Sequence, residues 1–295
     1  MRATRMIPLI ALILLGLLGT VPISRAEAAP AAACVTPLAR TDTERIAALS
    51  DIGADRGRPD LAGLRSHVAR LWSITDILVA HHDRRGLFPL ALAVTERDAV
   101  MPLQERPGAF QNPQWAPRVS QYLLDRFLDA LHAEFTGGPV PAHWTRYFDL
   151  ATDCRVSGER VTTVGFNSHI TVDLAHAVAD AATTQAQARD FFLIVDTIAA
   201  HGNSIVVATN RAYGIDLGPA FRFYFVGEGL DRIVGAGRAT TPMLRAADVG
   251  YNVLTFGNGL ALQDPATHDA AVTDISALWS TGDAALEAFE QVGLP

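Results

Sequence analysis

The stretch Gly165-Phe166-Asn167-Ser168-His169-Ile170-Thr171-Val172-Asp173-Leu174 holds residue types from which proton transfer or metal binding is built. On a helix, His169, Asp173, His176 and Asp180 share one stripe, while Ile170, Leu174, Ala177 and Val178 take the other side. A His-x3-Asp pair on one helix face can bring an imidazole nitrogen and a carboxylate to one divalent metal ion. It can equally set a general base beside the acid that orients it. A polar stripe opposite an apolar one also describes an ordinary solvent-facing helix. Asn167 argues for burial, because it lies about 160° around the helix from His169, inside the apolar arc. A buried amide must find hydrogen-bond partners, and Thr163 and Thr171 stand four residues to either side. Asn167, His169 and Asp173 are therefore the candidate catalytic residues, and His169 and Asp173 the candidate metal ligands. Such an inward polar network can also serve helix packing alone.

Four further residues are candidates for contacting a ligand or supporting the first three: His176, Asp190, Asp196 and Asn203. Asp196 and Asn203 stand seven apart in a run dominated by Phe192, Leu193, Val195, Ile198, Ile205 and Val206. They would approach the His169 stripe if the two helices packed antiparallel. Asp190 precedes that run, where an acid is favoured by the helix dipole. The His81-His82-Asp83-Arg84-Arg85 cluster reads as a solvated turn rather than a metal site, and His143 with Trp144 as packing. All 24 basic residues are arginine, so chemistries that need a lysine, Schiff bases and lysine-bearing phosphate loops among them, are excluded. No G-x-S-x-G elbow is present.

The elements that must position these residues are helical. Leu61, Leu64, Val68, Leu71, Trp72 and Leu78 follow Asp60, an N-cap, at three- and four-residue steps. A second helix starts after Gly86, and a third opens at Asn112-Pro113 and ends at Gly137-Gly138. A shorter one starts at Pro141. Long helices are expected over about 158–182 and 187–211, then over 241–254 and 269–292. Repeated Val/Ile runs for a parallel sheet are missing. The expected fold is mostly α, a single multi-helix domain over 60–295 with orthogonal or bundle-like packing, and a short irregular or β segment near 214–237.

Arg2 and Arg5, the apolar run Ile7–Leu18 and Ala26-Glu27-Ala28 have the layout of a secretory signal peptide over 1–28. This predicts a secreted or envelope-exterior protein with no transmembrane span after cleavage. Without residues 1–28 the formal charge of -7 becomes more negative still, since three arginines and one glutamate leave. Such a surface argues against nucleic acid. In an exported chain Cys34 and Cys154 are expected to pair, tethering the segment 29–59 to the middle of the fold.

The Gly165–Leu174 segment resembles the N-A-H-I-x-x-D-L signature of the domain-of-unknown-function family 5995. Asp83-Arg84-Arg85 with Phe88 and Thr95 resembles the same family's D-R-R-x-x-F…T segment. The Trp115 helix, the Pro141–Trp144 segment and Asp190-Phe191 fall in the family's order, for a resemblance spanning about Asp60 to Tyr251. Ser168 stands where the family has alanine, and Asp196 where it has asparagine. The resemblance implies a helical fold and adds weight to Asn167, His169 and Asp173; it carries no activity.

Asn, His and Asp together offer donor, base and acid, so the expected function is an exported hydrolase, assisted by a divalent metal ion or not. The alternative is a binder of an apolar small molecule or lipid-like ligand, with the Asn/His/Asp unit structural.

Overall fold

Asp60 sets where the first long helix begins. Its carboxylate accepts the Gly63 N–H at 2.8 Å, satisfying a donor that the first helical turn leaves open. In the computed structural model, which describes residues 37–53, 55, 59–218 and 240–291, helix α2 runs Leu61–Ala80. It is preceded by α1, Arg40–Ser50. Leu64, Leu71, Ile74 and Leu78 of α2 are fully buried with Ile46 of α1 and with Leu124, Phe127, Leu128 and Leu131 of α5, Trp115–Thr136. The segment 29–59 thus supplies a core helix. The described residues from 37 onward fall in one compact unit.

The centre of this unit is α3, Leu87–Thr95, in which every residue is buried. A helix apolar on all sides has to be surrounded. Phe88 is its hub. Its ring lies 5.0 Å from Phe127, 5.3 Å from Trp144, 5.5 Å from Phe166 and 5.2 Å from the His169 imidazole. Gly165 permits this approach, since a Cβ there would come within 2.6 Å of the Phe88 ring. The helix then widens into a π turn, Glu96–Val100, and ends as α4, Met101–Gln104. Glu96 is 5% exposed in that turn with Oε2 unpaired, and burial pushes its carboxyl up to about 8.

The turn into α3 is a polar knot and not a solvated loop. Asp83 is fully buried. It caps the turn through the Arg85 N–H at 2.9 Å and holds the Arg85 guanidinium at 2.6 Å. The Tyr213 hydroxyl donates to the Asp83 carbonyl, and the Tyr147 hydroxyl to that of Arg85, both at 2.9 Å. The D-R-R segment therefore serves architecture.

Helices α6 (Ala142–Thr152) and α7 (Gly158–Ser168), the π turn His169–Asp173 and α8 (Leu174–Asp180) follow. Next come α9 (Ala188–Ala200) and α10 (Gly202–Tyr213), bent by 46° where they meet. The described part closes with α11 (Thr240–Ala261) and α12 (His268–Gln291). Helix α11 packs on α8 and α9, and α12 on α7 and its π turn. No strand occurs among the described residues, and the fold is the expected single, mostly helical domain. The irregular or β segment expected near 214–237 lies largely outside them, as does the expected signal peptide. No single described helix is long and apolar enough to cross a membrane.

The expected start of one helix needs correction. Helix α5 starts at Trp115 and not at Asn112-Pro113, because Asn112 is engaged elsewhere. The expected Cys34–Cys154 crosslink falls on Cys34, which lies outside the described residues; at its other end Cys154 is not a free thiol.

Candidate functional site

Helix α7 is started by Ser157, whose hydroxyl accepts the Arg160 N–H at 3.0 Å. It carries Asn167 and Ser168 to the point where the backbone ladder widens at His169. A π turn puts an extra residue into one turn and re-aims the side chains on it; such turns gather at functional sites. Here it holds His169 and Asp173, which are 6% and 2% exposed. The inner half of the polar stripe is therefore enclosed, whereas Asp180 is exposed and pairs with Arg126 at 2.6 Å.

The Asp173 carboxylate is filled from α6. His143 Nε2 lies 3.0 Å from Oδ1, and the Trp144 indole N–H donates to Oδ2 at 2.9 Å. Ser168, fully buried, donates its hydroxyl to the His143 carbonyl at 3.0 Å. The serine that departs from the family pattern thereby ties the first turn of α6 to α7. His143 keeps 14% of its side chain exposed. Its Nε2 is committed to the carboxylate, so Nδ1 is the nitrogen that can take a proton.

His169 is the inner partner. Its Nδ1 is 3.9 Å from Asp173 Oδ2, too far for a hydrogen bond, and it is buried without a partner. Burial pushes the imidazole down to about 4 against the opposing pull of Asp173, and His143 lowers it further. Near neutral pH His169 is uncharged, and the 3.9 Å separation is not an ion pair. His176, half-buried, is also lowered, by burial first and then by Arg126.

Asn167 belongs to a different contact. Its Nδ2 donates to the Trp279 carbonyl at 2.9 Å, and its Oδ1 accepts from Thr171 at 3.2 Å. A Cβ on Gly282 would stand 2.6 Å from that oxygen, so the glycine is what lets α12 lie this close. Asn167 docks α12 and does not share Asp173 with His169. The Asp173 partners that sequence reasoning passed over are His143 and Trp144. The available signal was their place in the Pro141–Trp144 segment.

The supporting residues separate. Asp190 is fully buried and accepts from the backbone N–H groups of Gln111 at 3.0 Å and Asn112 at 2.6 Å, clamping the loop before α5 to the start of α9. Asn203 is exposed on α10 and Asp196 half-buried on α9. Helix α9 packs chiefly on α11 and the π turn of Glu96, so the antiparallel approach to His169 does not form. A second couple, His67–Asp125 at 2.6 Å, is shut between α2 and α5 with His67 0% exposed, leaving no face for a substrate. As metal ligands, His169 and Asp173 would supply two groups. No set of three or more His, Cys, Asp or Glu side chains able to hold an ion occurs among the described residues.

These features define a class: an all-helical domain in which a buried carboxylate, on a helix interrupted by a π turn, is held by a partly exposed imidazole and an indole, with an enclosed and unpaired imidazole beside it. The chain belongs to the family of unknown function DUF5995, whose model matches residues 65–234. The matched span contains His143, Trp144 and the whole of α7 through α8, and leaves out α1, α11 and α12. No curated protein and no solved structure matches the chain.

Proposed function

We propose that the chain is an exported hydrolase in which His143 activates a water molecule and Asp173 holds His143 in place. One observation carries this reading: His143 Nε2 is 3.0 Å from Asp173 Oδ1, with the carboxylate enclosed and the imidazole reaching solvent. A buried acid that fixes ring orientation and tautomer, and leaves the opposite nitrogen open, is the arrangement of a positioned general base. Trp144 supports it by holding the other carboxylate oxygen. The uncharged His169 beside them avoids a second positive charge that would oppose protonation of His143 in the reaction. The basic start and apolar run before residue 28 support export.

Turnover of p-nitrophenyl acetate, an anilide and p-nitrophenyl phosphate by the purified chain tests the reading, with His143→Gln and Asp173→Asn alongside. A rate lost in both variants supports it. Equal rates in wild type and His143→Gln overturn it and favour the apolar-ligand binder, which mass spectrometry of co-purified molecules would identify. Elemental analysis of the same preparations decides whether a divalent ion assists: an ion present in wild type and lost in His169→Ala would extend the site to His169.

A further inference from the structure

Three of the four indoles lie on other elements and are engaged there, and the fourth, Trp279, lies on α12. Trp115 donates to the Thr183 hydroxyl at 2.9 Å and Trp144 to Asp173 at 2.9 Å; Trp72 lies under the Arg97 guanidinium at 5.2 Å. Trp279 Nε1 is buried with no hydrogen-bond partner. An enclosed N–H that donates to nothing is costly to keep, and this one lies beside the proposed base. The Trp279 and His143 rings are 6.5 Å apart, edge to face.

The position of that indole is held. Asn167 grips the Trp279 carbonyl at 2.9 Å, and Gly282 presses directly on Asn167. One turn beyond Trp279 on α12, Asp283 receives Arg160 at 2.5 Å and Arg146 at 3.1 Å. Trp279 is thus a rigid donor presented from an element outside the family match. On the other side of Asp173 from the base, His169 leaves a second buried polar atom, Nδ1, unpaired.

The charge around the site selects among substrates. Arg146 and Arg160 are both occupied by Asp283, with Glu287 also on Arg146 at 3.4 Å, and Arg126 by Asp180. A phosphate or carboxylate would meet the Asp173 carboxylate at close range, a like-charge contact that costs binding. A neutral carbonyl has no such conflict, and a fixed N–H donor stabilises it only as its oxygen becomes negative.

We infer that Trp279 Nε1 is the oxyanion donor for a neutral carboxylic ester or amide; this rests on the proposed hydrolase reading. Water attacks the carbonyl carbon as its proton passes to His143 Nδ1. The carbonyl π pair moves to oxygen, where the indole N–H meets it. Collapse of the adduct expels the alcohol or amine, which takes the proton back from His143 and leaves the acid.

The test replaces Trp279 by β-(3-benzothienyl)alanine, which keeps the ring shape and lacks the N–H, with Trp279→Phe as a second variant and melting curves for both. The expected result is cleavage of p-nitrophenyl acetate and not of p-nitrophenyl phosphate. Loss of the N–H should lower kcat about tenfold or more with KM within about threefold, and weaken phenylboronic acid, a mimic of the tetrahedral adduct, by a similar factor. Unchanged ester turnover in the benzothienyl variant overturns the donor and leaves the His143 reading standing. Preference for the phosphate overturns the substrate class. Ester turnover that survives His143→Gln overturns the hydrolase reading itself and this inference with it.

Discussion

His143 and Asp173 are separated by 30 residues in the chain and by 3.0 Å in the fold. The contact exists because α6 and α7 pack together and because Ser168 anchors the His143 carbonyl. It joins a residue on a partly open helix start to a carboxylate on an enclosed π turn. That asymmetry separates the consequences of changing either one.

Asp173→Asn removes the acceptor of two donors. An amide can satisfy one of them and confronts the other with its own N–H, so the expected cost is about 2–4 kcal/mol of folding free energy. His143→Gln, at a partly exposed position, should cost no more than about 1 kcal/mol. Urea unfolding of the two variants checks this. Equal losses would mean that the carboxylate is not the centre of the cluster.

His169 sets an acid limit on stability. Its imidazole is held down to about 4 when folded, against an ordinary value of about 6.5 once unfolded. The unfolded chain therefore binds the proton first. Stability is fully present above about 6.5 and declines as pH falls toward 4, by at most roughly 3 kcal/mol. His169→Gln should remove this part of the slope between pH 7 and pH 4, measured by denaturant melts at several pH values.

Glu96 works in the opposite sense. Its folded carboxyl is raised to about 8, above the unfolded value, so its stabilising contribution is complete in acid and lost as pH rises toward 8. Glu96→Gln keeps the shape and cannot ionise. The variant should gain on wild type between pH 5 and pH 8, approaching roughly 2 to 4 kcal/mol. A gain independent of pH would point to packing and not to ionisation.

The contact between α7 and α12 is testable by size. Gly282→Ala places a Cβ 2.6 Å from Asn167 Oδ1. Overpacking should cost about 1–3 kcal/mol, less about 1 kcal/mol returned by alanine's better helix propensity. Combining it with Asn167→Ala should be less damaging than the two single costs added together, which a double-mutant cycle in urea would read. Additive costs would show that the two residues do not touch.

The helices were legible because their signals are local. Asp60 caps α2, Gly137 ends α5, and α3 is apolar on every side. The burial of Asn167 followed from a polar residue in an apolar arc. The start of α5 was misplaced since Asn112, which has the form of a cap, is recruited by Asp190 from 78 residues away. Local spacing makes Asp83 look solvated because Tyr213 and Tyr147, which complete its knot, lie far along the chain.

By itself the sequence determined the helical class and the family resemblance and singled out Asn167, His169 and Asp173 as candidates, since periodicity and short motifs depend on neighbours within a few turns. Only the tertiary structure decided what those residues do. Helix packing gave Asp173 to His143 and Trp144, sent Asn167 to α12, left His169 uncharged and unpaired, and separated Asn203 from them all. Burial and long-range contact assign these roles, and neither is written in local spacing.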